Sequence, residues 1–158
     1  MQKTGLLGLL LSIFMFQNTA TAAENTVKYQ GNMMNITIGQ STFSAELADT
    51  KAAQELTALL PLTLEMQDHL SNEKFAELPK SLTRNDATVG RIETGDIMLW
   101  GGDTLVVFYE SFNSPYRYTR LGKIQNADKL KNAVGAGKVK MTFALCSFEN
   151  AASSFKCR

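Results

Sequence analysis

Histidine occurs once in this 158-residue chain and cysteine twice. A zinc site built on several imidazoles and thiolates therefore has almost no raw material. Neither sign of charge is in excess, since sixteen Lys and Arg stand against fifteen Asp and Glu for a formal +1. Nucleic acid and acidic membranes are bound through clustered Lys and Arg, so neither is an expected partner. No GxSxG marks a nucleophile elbow, and Gly135-Ala136-Gly137-Lys138 falls short of the GxxxxGK of a phosphate loop. Internal repeats and low-complexity tracts are missing too, and no cofactor is implied. What is present, 44% hydrophobic and 20% charged residues, suits one globular domain with a real core rather than a disordered chain.

The one long hydrophobic run follows Lys3, from Leu6 to Phe16, and is succeeded by Thr19-Ala20-Thr21-Ala22. A basic start, a short apolar stretch and an Ala-x-Ala ending form a secretory signal peptide, with cleavage expected after Ala22. The run has eleven residues, about half of what a roughly 30 Å hydrocarbon core requires, so no stable membrane insertion is expected after cleavage. The expected product is exported, either periplasmic or secreted. Residues 23–32 are polar and read as a flexible lead-in, 33–146 as the folded domain, and 147–158 as a tail. In an oxidising compartment Cys146 and Cys157 read as a disulfide tying that tail back, worth about 2–3 kcal/mol in the chain-entropy picture. The rival reading, a reactive thiol, has no histidine or CxxC context behind it.

Along the domain, Met34, Ile36 and Ile38 alternate with polar residues, as do Phe43, Ala45 and Leu47 across a Gly39-Gln40-Ser41 turn, which predicts a hairpin. Asp49 or Thr50 can cap a helix with Ala53, Leu56, Leu59 and Leu60 on one face, ended by Pro61. Leu62, Leu64 and Met66 predict another strand, and Gln67 to Thr88 reads as mixed loop. A short strand is predicted over 90–93. Asp96 to Trp100 and Thr104 to Glu110, joined by Gly101-Gly102-Asp103, form the clearest hairpin, and arms so continuously apolar are covered on both faces. A further strand is predicted over 116–119, followed by Leu121-Gly122-Lys123-Ile124. Asn126 is the candidate cap of a short helix with Leu130, Ala133 and Val134 inward and Gly135 at its end. Val139, Met141, Phe143 and Leu145 make a last strand, and Met66, Met98 and Met141 are placed to fill core gaps. About eight short strands with two short helices predict a mainly β domain, a small closed barrel with helical lids.

Leu60-Pro61-Leu62-Thr63-Leu64-Glu65-Met66, Asn72-Glu73-Lys74-Phe75, Leu78-Pro79, Gly95-Asp96-Ile97-Met98-Leu99-Trp100, Val107-Phe108-Tyr109 and Tyr118-Thr119-Arg120-Leu121-Gly122-Lys123-Ile124 together resemble the bacterial cyclophilin-like family, from about Met34 to Phe143. The resemblance implies a closed barrel of about eight strands with a helix at each end. True cyclophilins are prolyl isomerases in which an arginine beside an apolar proline pocket bonds the imide; their Phe-His-Arg and Gly-Gly-Asp-Phe stretches are absent from this chain.

Prolyl isomerisation needs no nucleophile, because its barrier of about 18–20 kcal/mol comes from amide resonance. An apolar slot and a donor to the imide nitrogen suffice. The candidate ligand-binding residues are therefore Met66, Phe75, Trp100, Phe108, Tyr116, Tyr118 and Arg120, with Arg84, Arg91 and Arg117 as further donors. The same aromatics can instead fill and rim the barrel. On a strand Tyr116, Tyr118 and Arg120 share one face, which either grips a peptide or flat ligand or is an outer surface laced by a cation–π pair. Asp68, His69, Glu73 and Lys74 lie close in sequence, and read either as acid–base or metal chemistry or as solvated loop charges. Glu73 matches a position where the family tends to carry a charged residue, in an ion pair or in binding. The expectation is an exported module that binds a peptide or small-molecule ligand near Trp100, Phe108 and Tyr118, edged by the Met66–Phe75 segment. The alternative is a prolyl isomerase acting on exported proteins.

Overall fold

A computed structural model describes residues 28–148 and 156–157. The signal segment 1–22, the start of the lead-in and most of the tail lie outside the described residues. The first hairpin forms as the alternation dictates, from β1 (Lys28–Ile38) and β2 (Ser41–Leu47), with Ile36 opposite Phe43. β1 begins at Lys28, inside the segment expected to be flexible, because β9 (Val139–Phe148) runs on to Phe148 and pairs with it. Helix α1 (Lys51–Thr57) is capped by Thr50, whose Oγ1 accepts from Ala53 N at 3.1 Å and donates to Arg120 O at 2.9 Å. The cap thus satisfies a helix donor and ties α1 to the barrel. Ala52, Ala53 and Leu56 are its buried face, while Leu59 and Leu60 lie beyond its end and are only partly buried.

β3 (Leu62–His69) pairs with β4 (Glu73–Glu77), so the expected loop over 67–88 is in part a hairpin. Its inward position 74 holds a lysine, which breaks the apolar alternation that would have announced β4. β5 (Ala87–Ile92) follows, then β6 (Asp96–Trp100) and β7 (Thr104–Phe108). β8 (Phe112–Ile124) is a single 13-residue strand where only a short one over 116–119 was expected. A 3-10 turn (Ala127–Lys129) leads into α2 (Leu130–Val134), with Leu130 and Val134 buried. Asn126 stands at the start of the turn in the left-handed region (φ 52°) and its side chain caps nothing. β10 (Lys156–Cys157) pairs with β9.

Hydrogen bonding runs β1-β2-β8-β6-β7-β4-β3-β9 and returns from β9 to β1, which closes an antiparallel barrel of eight strands. Closure removes free sheet edges. The interior is filled by Met34, Ile36, Leu56, Met66, Ile97, Leu99, Leu105, Val107, Met141 and Phe143, all fully buried. Strands β6 and β7 are apolar on both faces because two cores meet there. Ile97, Leu99, Leu105 and Val107 face the barrel interior, while Met98, Val106 and Phe108 face outward into a second cluster with Ile92 and Tyr118. The second cluster exists because β5 and the first half of β8 pair as an arm, Ile92 opposite Phe112 and Ala87 opposite Tyr118, and this arm lies over the outer wall.

Candidate functional site

The outer wall of β8, β6, β7 and β4 carries every exposed or half-exposed aromatic of interest. Side chains two apart on a strand share a face, so Met98 and Trp100 of β6, Val106 and Phe108 of β7, and Glu73 and Phe75 of β4 point away from the barrel axis. Cross-strand register lines them up: Phe75 faces Val106, Val106 faces Met98, and Glu73 faces Phe108. Phe108 makes edge contacts with Tyr118 (5.6 Å between ring centres) and Phe112 (5.8 Å). Phe108 and Tyr118 are buried beneath the arm, with Phe75 packed at the margin.

Among the described residues, two large hydrophobic aromatics stay exposed. Trp100 is 54% exposed and Tyr116 is 64% exposed, and both line one cleft of about 460 Å³ with Arg84, Asp86, Gly101, Pro115 and Arg117. Asp86 organises the cationic side of this cleft. Its Oδ2 accepts from Arg84 Nε at 3.0 Å and again from Nη2, and its Oδ1 accepts from Thr119 Oγ1 at 2.7 Å. These bonds, Thr119 first and Arg84 second, hold its carboxyl below the usual aspartate range. The Asp86 carbonyl oxygen accepts from Arg117 Nη2 at 2.6 Å. Arg84's aliphatic stem runs over the β6–β7 turn, where Gly102 leaves it room. Asn85 N donates to Thr119 Oγ1 at 2.8 Å, which pins the loop before β5 to β8.

The expected ligand residues therefore divide. Trp100 and Tyr116 stand in the cleft. Phe75, Phe108 and Tyr118 gather in the outer cluster beside it. Met66 is wholly buried in the barrel core. Arg120 is exposed and lies 3.9 Å from the buried Asp96, which also accepts from Lys123 at 3.0 Å. Asp86 and Pro115 are cleft residues that the sequence pattern did not single out. Asp86 lies in the stretch expected to be mixed loop, and only the arm's fold brings it against Trp100.

The Asp68–Lys74 cluster is built for structure. Lys74 points into the barrel mouth with 0% exposure, and its Nζ donates to Asp68 Oδ2 (2.6 Å), Gly135 O (2.9 Å) and Gly137 O (2.6 Å). Tyr109 Oη donates to the same Asp68 oxygen at 2.7 Å, and the ammonium sits 5.4 Å from the Tyr109 ring centre. The bonds from Lys74 and then Tyr109 hold the Asp68 carboxyl low, whereas burial first, and then the Asp68 bond, pushes the Tyr109 phenol up. Glu73, on the opposite face, is half-buried between its register partners His69 and Phe108, and that burial pushes its carboxyl up. Glu73 forms no ion pair among the described residues. No group of three or more His, Cys, Asp or Glu among the described residues is placed to hold a metal ion. No described helix is long and apolar enough to cross a membrane.

Comparison with known proteins gives a family and a similar solved structure. The model of the Cyclophilin-like family matches residues 36–144, which run from β1 to β9. No curated protein matches. Among solved structures, the solution structure of the hypothetical protein AF2241 from Archaeoglobus fulgidus is similar at 16% identity and a TM-score of 0.48, over 73% of this chain and 95% of that one.

Proposed function

The chain belongs to the cyclophilin-like family, and from that premise we propose that it is an exported module binding a peptide or small ligand in the cleft of Trp100 and Tyr116. A shared barrel carries no activity by itself, so the reading rests on the site. The single observation behind it is the pairing of exposed rings. Of the three large hydrophobics left exposed among the described residues, Leu70, Trp100 and Tyr116, two share one cleft with two guanidiniums. Trp, Tyr and Arg are the side chains that dominate binding energy at recognition sites. Phe108 and Tyr118 are buried in the outer cluster and, like Phe75, line no part of this cleft.

Trp100 is the only tryptophan, so its fluorescence reports this cleft alone. Titration with short Xaa-Pro peptides is expected to shift its emission. Trp100→Ala is expected to weaken binding, followed by amide shifts, about 30-fold, the equivalent of a 2 kcal/mol hot spot. Its half-exposed position leaves the melting temperature within a few degrees of wild type. A variant that unfolds, or that binds as tightly as wild type, would remove Trp100 from the site. Exchange spectroscopy on the same samples separates recognition from prolyl isomerisation, the second reading, which the guanidiniums beside the aromatic cleft support and the absent cyclophilin stretches weaken.

Export rests on the Lys3, Leu6–Phe16 and Ala20-x-Ala22 pattern. The Cys146–Cys157 bridge is supported by β-sheet register, since the two residues are direct partners across β9 and β10. Directly opposed positions on antiparallel strands lie within the Cα separations that a disulfide spans. Intact mass of protein from the extracytoplasmic fraction is expected to lack residues 1–22 and to gain two hydrogens on reduction. A full-length mass would remove the export reading, and an unchanged mass on reduction would remove the bridge.

A further inference from the structure

Arg117 is fixed but not neutralised. Its guanidinium is held at 2.6 Å by a carbonyl oxygen, that of Asp86, and no described carboxylate lies within ion-pair distance of it. The one carboxylate in the cleft is already committed on both oxygens, Oδ2 to Arg84 and Oδ1 to Thr119. The cleft thus has two guanidiniums against a single carboxylate, which leaves an uncompensated positive charge. Arg84 is 59% exposed on its side chain, so it too keeps donors facing solvent. On the apolar side stand Trp100, Pro115 and Tyr116.

On the premise that this cleft is the binding site, we propose that its ligand carries a carboxylate on a flat apolar body, with Arg117 receiving the carboxylate and Trp100 and Tyr116 the ring. A guanidinium presents parallel N–H donors that match a carboxylate bidentately, and one already oriented by the backbone loses less freedom on binding than a free side chain. Aromatic faces add stacking that an aliphatic body could not exploit. The C-terminal end of a peptide finishing in an aromatic residue has this chemistry, and so does a small aromatic acid. An uncharged or cationic end would leave the Arg117 charge without a partner.

The test is a Trp100 fluorescence titration of the mature protein with acetyl-Ala-Ala-Phe as free acid and as C-terminal amide, and with phenylacetate. The free acid is expected to bind at least tenfold tighter than the amide, and to weaken as salt is raised. Arg117→Gln is expected to bring acid and amide to the same affinity, while Arg117→Lys restores only part of the difference because it keeps the charge and loses the fork. Phenylacetate matching the tripeptide acid would assign the same chemistry to small acids; a much weaker response would assign it to peptide ends. Equal affinity of acid and amide in the wild type would overturn the carboxylate preference while leaving the cleft as a binding site. No response to any of the three would overturn both.

Discussion

Lys74→Met is expected to destabilise the domain by about 3 kcal/mol, the lower end of the cost of removing one member of a buried ion pair. Methionine can fill the channel that the lysine stem occupies, so packing changes little. What is lost is the ammonium, whose three donors are all used on Asp68, Gly135 and Gly137. The Gly135 and Gly137 carbonyls are then left in the barrel mouth without the Lys74 donor, and the Asp68 carboxylate keeps only Tyr109 Oη and Ser71 N and no counter-charge. Asp68 keeps 19% side-chain exposure, and this access to water is why the lower end of the range applies. Urea unfolding at neutral pH reads the effect directly. A loss below about 1 kcal/mol would mean that water replaces the ammonium cheaply and that Lys74 does not hold the mouth together.

The same pair sets an acid response. The Asp68 carboxyl titrates below its ordinary value because Lys74 and Tyr109 bond its charged form. Its stabilising contribution is therefore complete above the ordinary aspartate pKa, and it is lost as pH falls through the lowered folded value. Wild type should lose stability across that acidic window, and Lys74→Met should lose much less there. Adding Asp68→Asn to Lys74→Met removes the stranded charge and is expected to recover part of the neutral-pH loss. Non-recovery would place the cost in packing rather than in electrostatics.

Gly122→Ala is expected to be at least as damaging, on the order of 3 kcal/mol or more. Gly122 faces Leu47 across the β2–β8 seam and Ile97 across the β6–β8 seam. A Cβ built there would lie 2.4 Å from Glu46 O and 3.2 Å from the Leu47 Cα. Both obstacles are backbone, so no side chain can rotate away. The only relief is to part β2 from β8, which opens the ring at a point where Ala48 N bonds Leu121 O at 2.9 Å. Thermal melting compared with wild type checks this, and an unchanged melting temperature would show that the seam is looser than its contacts imply.

Where one face of a strand meets the core and the other meets water, the amino-acid order determined the outcome alone. Met34-Ile36-Ile38, Phe43-Ala45-Leu47, Leu62-Leu64-Met66 and Val139-Met141-Phe143 carry the two-residue period of such strands, and the structure places each of them in the barrel. The unbroken apolar run of β6 and β7 declared two covered faces in the same way. A cap at Asp49 or Thr50 was legible, and the structure gives it to Thr50, whose hydroxyl sits where the free N–H groups of α1 begin. β4 was not legible, because its inward Lys74 is satisfied by carbonyls 61 and 63 positions away in the chain. A pattern of neighbours cannot show a partner that only closure of the barrel brings near. The site divides along the same line. The sequence named the aromatics and left open whether they fill the barrel, rim it or bind a ligand. Only tertiary structure decided that Phe108 and Tyr118 lie beneath the β5 arm while Trp100 and Tyr116 stay open beside Arg84 and Arg117, because exposure depends on which distant strand folds across.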